Sequence, residues 1–176
     1  MDSRRTANEV LENMSTTFVF ARFDDREVMD QILDAVESKP SVSRWEATEG
    51  HYQLALTVEG KGGKSTTALT SIGQPSESIV CPIKKSDPPV FDRDPDIKYS
   101  YLLVEASTDQ IERLWGILGH EENVIQVNRA EGNYNLIAVA TAKMFDDIDQ
   151  LVDDKISSLD GVLRVRQLRI LKSWMR

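Results

Sequence analysis

The feature that most constrains this chain is an internal repeat. Glu49-Gly50-His51-Tyr52-Gln53-Leu54-Ala55 aligns with Glu131-Gly132-Asn133-Tyr134-Asn135-Leu136-Ile137 at an offset of 82 residues. Self-similarity at a fixed period marks a repeated structural unit. The same offset carries the apolar stripe Met29, Ile32, Leu33, Val36 onto Ile111, Leu114, Trp115, Leu118, and Val42 onto Val124. The 176 residues therefore read as an N-terminal extension (1–15), a first unit (16–85), a linker (86–97) and a second unit (98–176). The linker, SDPPVFDRDPDI, carries prolines and like charges that disfavour regular structure.

Each copy spells the same order of elements. TTFVFARF (Thr16 to Phe23) and KYSYLLVEA (Lys98 to Ala106) are β-branched and aromatic runs of strand length, each followed by a stripe of helical period. Pro40 and Gly119 close the helices. Two strands joined by Glu-Gly follow in each copy, Val42–Ala47 into His51–Val58 and Val124–Ala130 into Asn133–Thr141, so each pair reads as a hairpin. The second copy continues with Phe145, Ile148, Leu151, Val152, Ile156 and Leu159 at helical spacing, then the strand Val162–Leu171. The first has a weaker helix, Ser65–Ile72, and a shorter strand, Glu77–Ile83.

The order β-α-β-β-α-β is that of the ferredoxin-like split βαβ unit, an α+β fold with both helices on one sheet face. In such a unit the last strand lies at a sheet edge, where Pro82 is tolerable. The uncovered faces are weakly charged, so the two copies are expected to pack sheet to sheet as a pseudo-dimer of the dimeric α+β-barrel kind, with edge-to-edge pairing as the alternative. By strand alternation Tyr52 is expected to share a face with Leu54, and His51 with Gln53.

Composition narrows the function. A net charge of −8 argues against general nucleic-acid binding. No apolar run approaches the roughly 20 residues of a membrane helix, and the first residues lack the apolar stretch of a signal peptide, so a cytoplasmic protein with no membrane partner is expected. With one cysteine, Cys81, and two histidines, His51 and His120, neither a disulfide nor a Cys- or His-rich metal site is expected.

The segment from Glu131-Gly132-Asn133-Tyr134 through FDDIDQLVDDKISSLDGVLRVRQLRIL resembles the effector-binding domain of the Lrp/AsnC regulators. The glycine at Gly132, the helix stripe through Ile148, Leu151 and Ile156, and the junction Leu159–Val162 carry the resemblance. It implies a domain that dimerises, assembles further and binds amino acids or similar metabolites between subunits. Where the family has an aspartate after the hairpin glycine, this chain has Gln53 and Asn135. About fifteen residues precede the first strand, too few for the family's helix-turn-helix, so direct DNA binding is not expected.

The leading expectation is a non-enzymatic module that binds a small, amino-acid-like metabolite, acts through oligomerisation, and uses no cofactor, metal or catalytic residue. Its ligand site is placed at the central hairpins: Gly50, Tyr52, Gln53, Gly132, Tyr134 and Asn135. One alternative is a pure assembly or adaptor protein. Another is an α+β-barrel monooxygenase-like or haem-handling enzyme, in which His51 would be ligand or base within an enclosed pocket. The structural reading of His51 is a polar hairpin-end residue. His120 suits a helix C-terminus. Gly60 to Ser65 has the context of a phosphate loop but lacks its first glycine, and reads as a connector. Arg164, Arg166, Arg169, Lys172 and Arg176 read as charges guarding an exposed edge strand. Trp45, Trp115 and Trp174 read as packing residues.

Overall fold

The computed structural model describes residues 15–60, 75–86 and 93–176. The first half holds β1 (Ser15–Arg22), α1 (Arg26–Glu37), β2 (Val42–Glu49), β3 (Leu54–Gly60) and β4 (Glu77–Ser86). The second holds β5 (Lys98–Ala106), α2 (Ile111–His120), β6 (Val124–Ala130), β7 (Leu136–Ala142), α3 (Phe145–Leu151, running into a π-helical turn at Val152–Ile156) and β8 (Val162–Met175). The N-terminal extension, the expected helix at Ser65–Ile72, the loop beyond Gly60 and much of the linker lie outside the described residues.

Every strand pair is antiparallel, and the eight strands close into one barrel in the order β1-β3-β2-β8-β5-β7-β6-β4. Each half contributes four adjacent strands in equivalent order, β4-β1-β3-β2 and β8-β5-β7-β6, which is the split βαβ arrangement. The α+β, barrel-like architecture is as the sequence indicated. The halves meet at their edges, β2 on β8 and β4 on β6, and their inner faces enclose a shared core.

That closure corrects two expectations. β8 is no exposed edge: it pairs with β5 on one side and β2 on the other, so its cations guard nothing. They are spent on partners instead: Arg164 on Glu105 at 3.1 Å, Arg169 on Asp149 at 2.7 Å, and Arg176 on the carbonyl of Glu37 at 2.6 Å. β4 also has two neighbours, and Pro82 falls just before its ladder to β6 begins at Ile83.

Strand alternation then sorts the core into layers. Outward, Val19, Ala21, Leu54, Leu56 and Val58 meet Ile32 and Val36 of α1. In the second half, Leu102, Val104, Leu136, Ala138 and Ala140 meet Leu114 and Leu118 of α2 and Ile148 and Ile156 beyond it. Inward, Phe18, Phe20, Ala55, Tyr101, Leu103, Ile137, Val139 and Leu168 form one cluster drawn from both halves. Each such side chain is worth about 1.5–3 kcal/mol when buried, and neither half can bury this set alone. Local signals agree: the Asp25 carboxylate caps α1 by accepting from the Glu27 amide at 2.8 Å, and a ring nitrogen of His120 bonds the Gly116 carbonyl at 2.7 Å. The tryptophans pack as expected, Trp45 and Trp174 in the α1 layer and Trp115 in the α2 layer.

Candidate active site inside the barrel

The hairpin residues divide by role. Gly50 and Gly132 turn the two hairpins with φ of +143° and +106°, a region that favours glycine. A Cβ on Gly50 would lie 2.8 Å from the Gln167 carbonyl, whereas Gly132 faces open space. The Gln53 amide oxygen accepts from the Phe23 amide at 2.9 Å, and its nitrogen donates to the Gly50 carbonyl at 3.2 Å. Asn135 both donates to the Ala106 carbonyl and accepts from the Ala106 amide, each at 2.8 Å. Both amides thus pin their hairpin to the end of the neighbouring strand. Tyr52 and Tyr134 join the interior cluster, at 2% and 5% exposure. Alternation had put Tyr52 with Leu54, but β3 begins only at Leu54, so the turn geometry frees Tyr52 to enter the barrel.

Around Tyr52 the barrel closes on a polar group. Its hydroxyl donates to Glu77 Oε1 at 3.0 Å, and His51 Nε2 lies 2.9 Å from Glu77 Oε2. The hydrogen bonds from His51 and Tyr52 hold the Glu77 carboxyl below its ordinary range. Burial, then the bond to Glu77, pushes the Tyr52 phenol up to about 12. Arg166 acts on both groups across the interior, and its Nε is buried with no hydrogen-bond partner among the described residues.

A second network sits deeper. Glu46 of β2 is fully buried, and its carboxylate accepts from Arg93 Nε at 3.0 Å, from Ser173 Oγ at 3.0 Å and from the Tyr101 hydroxyl through a short bond. Burial raises the Tyr101 phenol well above its usual range, and the Glu46 carboxylate raises it further. Burial works against the Arg93 charge, but the Glu46 carboxylate beside it prevails and holds that guanidinium more firmly protonated. Arg93 also lies over the Tyr99 ring at 4.9 Å.

Tyr101 lines a cavity of about 300 Å³ at one mouth of the barrel, with Phe18, Arg44, Thr57, Gln126 and Asn128. The cavity is partly open and its lining is more apolar than polar, with Arg44, Tyr101, Gln126 and Asn128 among its polar groups. Arg44, Glu46, Gln126 and Asn128 are all buried, the first two at 9% and 0% exposure. Sequence reasoning passed over this group, although a signal was present. Arg44 and Gln126, and likewise Glu46 and Asn128, lie 82 positions apart, so both copies place polar residues on the same strand face. Among the described residues no cluster of three or more potential metal ligands occurs, and no helix is long and apolar enough to cross a membrane.

Comparison with known proteins follows from this geometry. The family model "Lrp/AsnC ligand binding domain" matches residues 101–176. No curated protein matches the chain. Among solved structures, the siroheme decarboxylase NirDL is similar over 93% of this chain and 73% of its own, at 12% identity and a TM-score of 0.74. The same enzyme in complex with an iron-uroporphyrin III analogue is similar over 98% of this chain and 81% of its own, at 11% identity and TM-score 0.71. A mutant chlorite dismutase from Candidatus Nitrospira defluvii covers 91% of this chain and 92% of its own, at 10% identity and TM-score 0.55. The expectation of a non-enzymatic, amino-acid-sensing regulatory module is corrected here, because these neighbours are enzymes. The resemblance misled because the Lrp/AsnC pattern records the packing of one unit and not the chemistry of the interior that two units enclose. The matched domain and the dimeric fold of the neighbours do fit small-ligand binding and oligomerisation. Residues 101–176 match the Lrp/AsnC ligand binding domain model, and they lie in one half of a barrel whose fold is similar to those of siroheme decarboxylase and chlorite dismutase.

Proposed function

We propose that this chain is a haem-handling enzyme that acts on a carboxylate-bearing iron tetrapyrrole at the barrel mouth. One observation carries the reading: a fully buried carboxylate, Glu46, holds the Tyr101 hydroxyl at the wall of a cavity of about 300 Å³ that Arg44 also lines. Buried, mutually bonded ionisable groups beside a cavity are expensive for stability and concentrate at functional sites. The fold shared with siroheme decarboxylase supports the substrate class. A cavity of this size takes one substituent arm of a macrocycle rather than the ring itself.

The reaction these residues suit is decarboxylation of that arm. The bond to the carboxylate carbon breaks, CO2 leaves, and the bonding pair stays on the arm's carbon, which then takes a proton from solvent. Tyr101 keeps its proton at neutral pH because of its burial and of Glu46, and donates it to Glu46, so the phenol stands at the cavity wall as a fixed, neutral positioning group. Arg44, whose Nη2 donates to Met175 Sδ at 3.3 Å, adds positive charge at the same wall, and Gln126 and Asn128 brace that wall, Gln126 donating to Asn128 at 3.4 Å and Asn128 to the Ile137 carbonyl at 3.0 Å. Titrating the protein with iron-uroporphyrin III and following the macrocycle's visible absorbance tests the binding step. A saturable spectral change that Arg44→Leu weakens about tenfold is expected. The absence of any saturable change would remove the reading.

A further inference from the structure

A second cavity, of about 320 Å³, lies between the segment leading into β5, the start of α3 and the end of β8. Arg93 lines it, and only one of that residue's three guanidinium nitrogens is used: Nε donates to Glu46, while Nη1 and Nη2 are buried and have no hydrogen-bond partner among the described residues. The Arg93 side chain is 10% exposed. Buried N–H groups left without acceptors cost about 1–3 kcal/mol each, more when charged, so an acceptor arriving there recovers a real deficit.

The surroundings say what kind of acceptor it is. Lys98 and Lys172 line the same cavity, so with Arg93 there are three cations, set against the Glu46 carboxylate that Arg93 already pairs with and the Asp94 carboxylate, which accepts from the Asp96 amide at 2.9 Å; one positive charge is left over. The remaining wall is apolar and aromatic, with Tyr99, Phe145 and Ile170. Two parallel N–H donors at the end of a guanidinium match the two oxygens of a carboxylate. We propose that this cavity is a binding site for a small organic carboxylate with an aromatic or apolar body, its carboxylate on Arg93 Nη1 and Nη2 and its body against Tyr99 and Phe145. The terminal nitrogens are covered in the free protein, so the ligand reaches them by displacing side chains at the rim, where Lys172 and Ser173 are exposed. The proposal is independent of the substrate assigned to the barrel mouth, since Tyr101 does not line this cavity.

The test is calorimetric titration of the full chain with benzoate, with inorganic phosphate as a second arm. Saturable, one-to-one benzoate binding is expected, with phosphate binding weaker because it has no body to place on the aromatic wall. The paired variant Glu46→Met/Arg93→Met removes both buried charges together and keeps the core filled, and in it benzoate binding falls about tenfold or more. The surface variant Lys98→Ser/Lys172→Ser weakens binding severalfold and reduces its salt dependence. Absence of saturable benzoate binding, benzoate binding unchanged in the Arg93 variant, or phosphate binding more tightly than benzoate would each overturn the proposal. Failure of the iron-uroporphyrin titration would leave it standing.

Discussion

Replacing Glu46 by leucine tests the buried network where it is most exposed to refutation. The carboxylate is fully buried and bonded to Arg93, Tyr101 and Ser173. Leucine leaves the Arg93 guanidinium buried without its counter-charge, and breaking one partner of a buried ion pair costs about 3–5 kcal/mol. The Tyr101 hydroxyl, fully buried, loses its acceptor for about 1 kcal/mol more, while the apolar side chain returns a similar amount. The net loss is about 4 kcal/mol, which for a chain of this size lowers Tm by about 8–16 °C. Guanidinium unfolding followed by both tryptophan fluorescence and far-ultraviolet circular dichroism measures it, and coincident transitions license the two-state comparison. The paired variant Glu46→Met/Arg93→Met should lie within about 2 kcal/mol of the parent, because no charge is then left uncompensated. A Glu46→Leu protein within about 1 kcal/mol of the parent would refute this account of the core, as would a paired variant no better than the single one.

Three further outcomes follow from the hairpin end. Gly50→Ala should destabilise by about 3 kcal/mol and Gly132→Ala by about 1 kcal/mol in denaturant unfolding, since both need positive φ but only the first meets backbone, at 2.8 Å. Asn135→Asp should cost about 1–3 kcal/mol in the same assay, because a carboxylate can accept from the Ala106 amide but cannot donate to the Ala106 carbonyl. Glu77 titrates lower when folded than unfolded, so its stabilising contribution is present above the ordinary carboxylate range and is lost as pH falls through the depressed folded value. Tyr52, raised to about 12, contributes below the ordinary phenol range and loses that contribution as pH rises through about 12. Glu77→Gln should therefore flatten the acid limb of a stability-versus-pH curve, and an unchanged limb would count against the His51–Glu77–Tyr52 group.

The barrel was legible because its signals are local and repeated. Strand-length β-branched runs, helical stripes such as Met29, Ile32, Leu33 and Val36, and glycine at both hairpin turns recur in register, and each reports its own neighbourhood. What lay beyond reach was set by closure. Nothing in the spacing of Arg164, Arg166 and Arg169 distinguishes a charged edge from a strand paired on both sides, because that depends on β2 of the other half. The interior network was hidden for a related reason: Glu46, Arg93, Tyr101 and Ser173 come from four segments and meet only when the halves join. Gln53 and Asn135 show a further limit of sequence. An amide beside a turn glycine suits a ligand or a backbone pin equally, and the bonds to Phe23 and Ala106 depend on neighbouring strands that spacing alone does not place.

The most direct test of the enzyme reading is turnover of siroheme by the purified chain, with products separated and identified by mass spectrometry. The account predicts a product lighter by one CO2 whose formation collapses in Tyr101→Phe, while that variant keeps its fold and still binds iron-uroporphyrin III. Siroheme recovered intact from the parent protein, or product formed equally well by Tyr101→Phe, would contradict it.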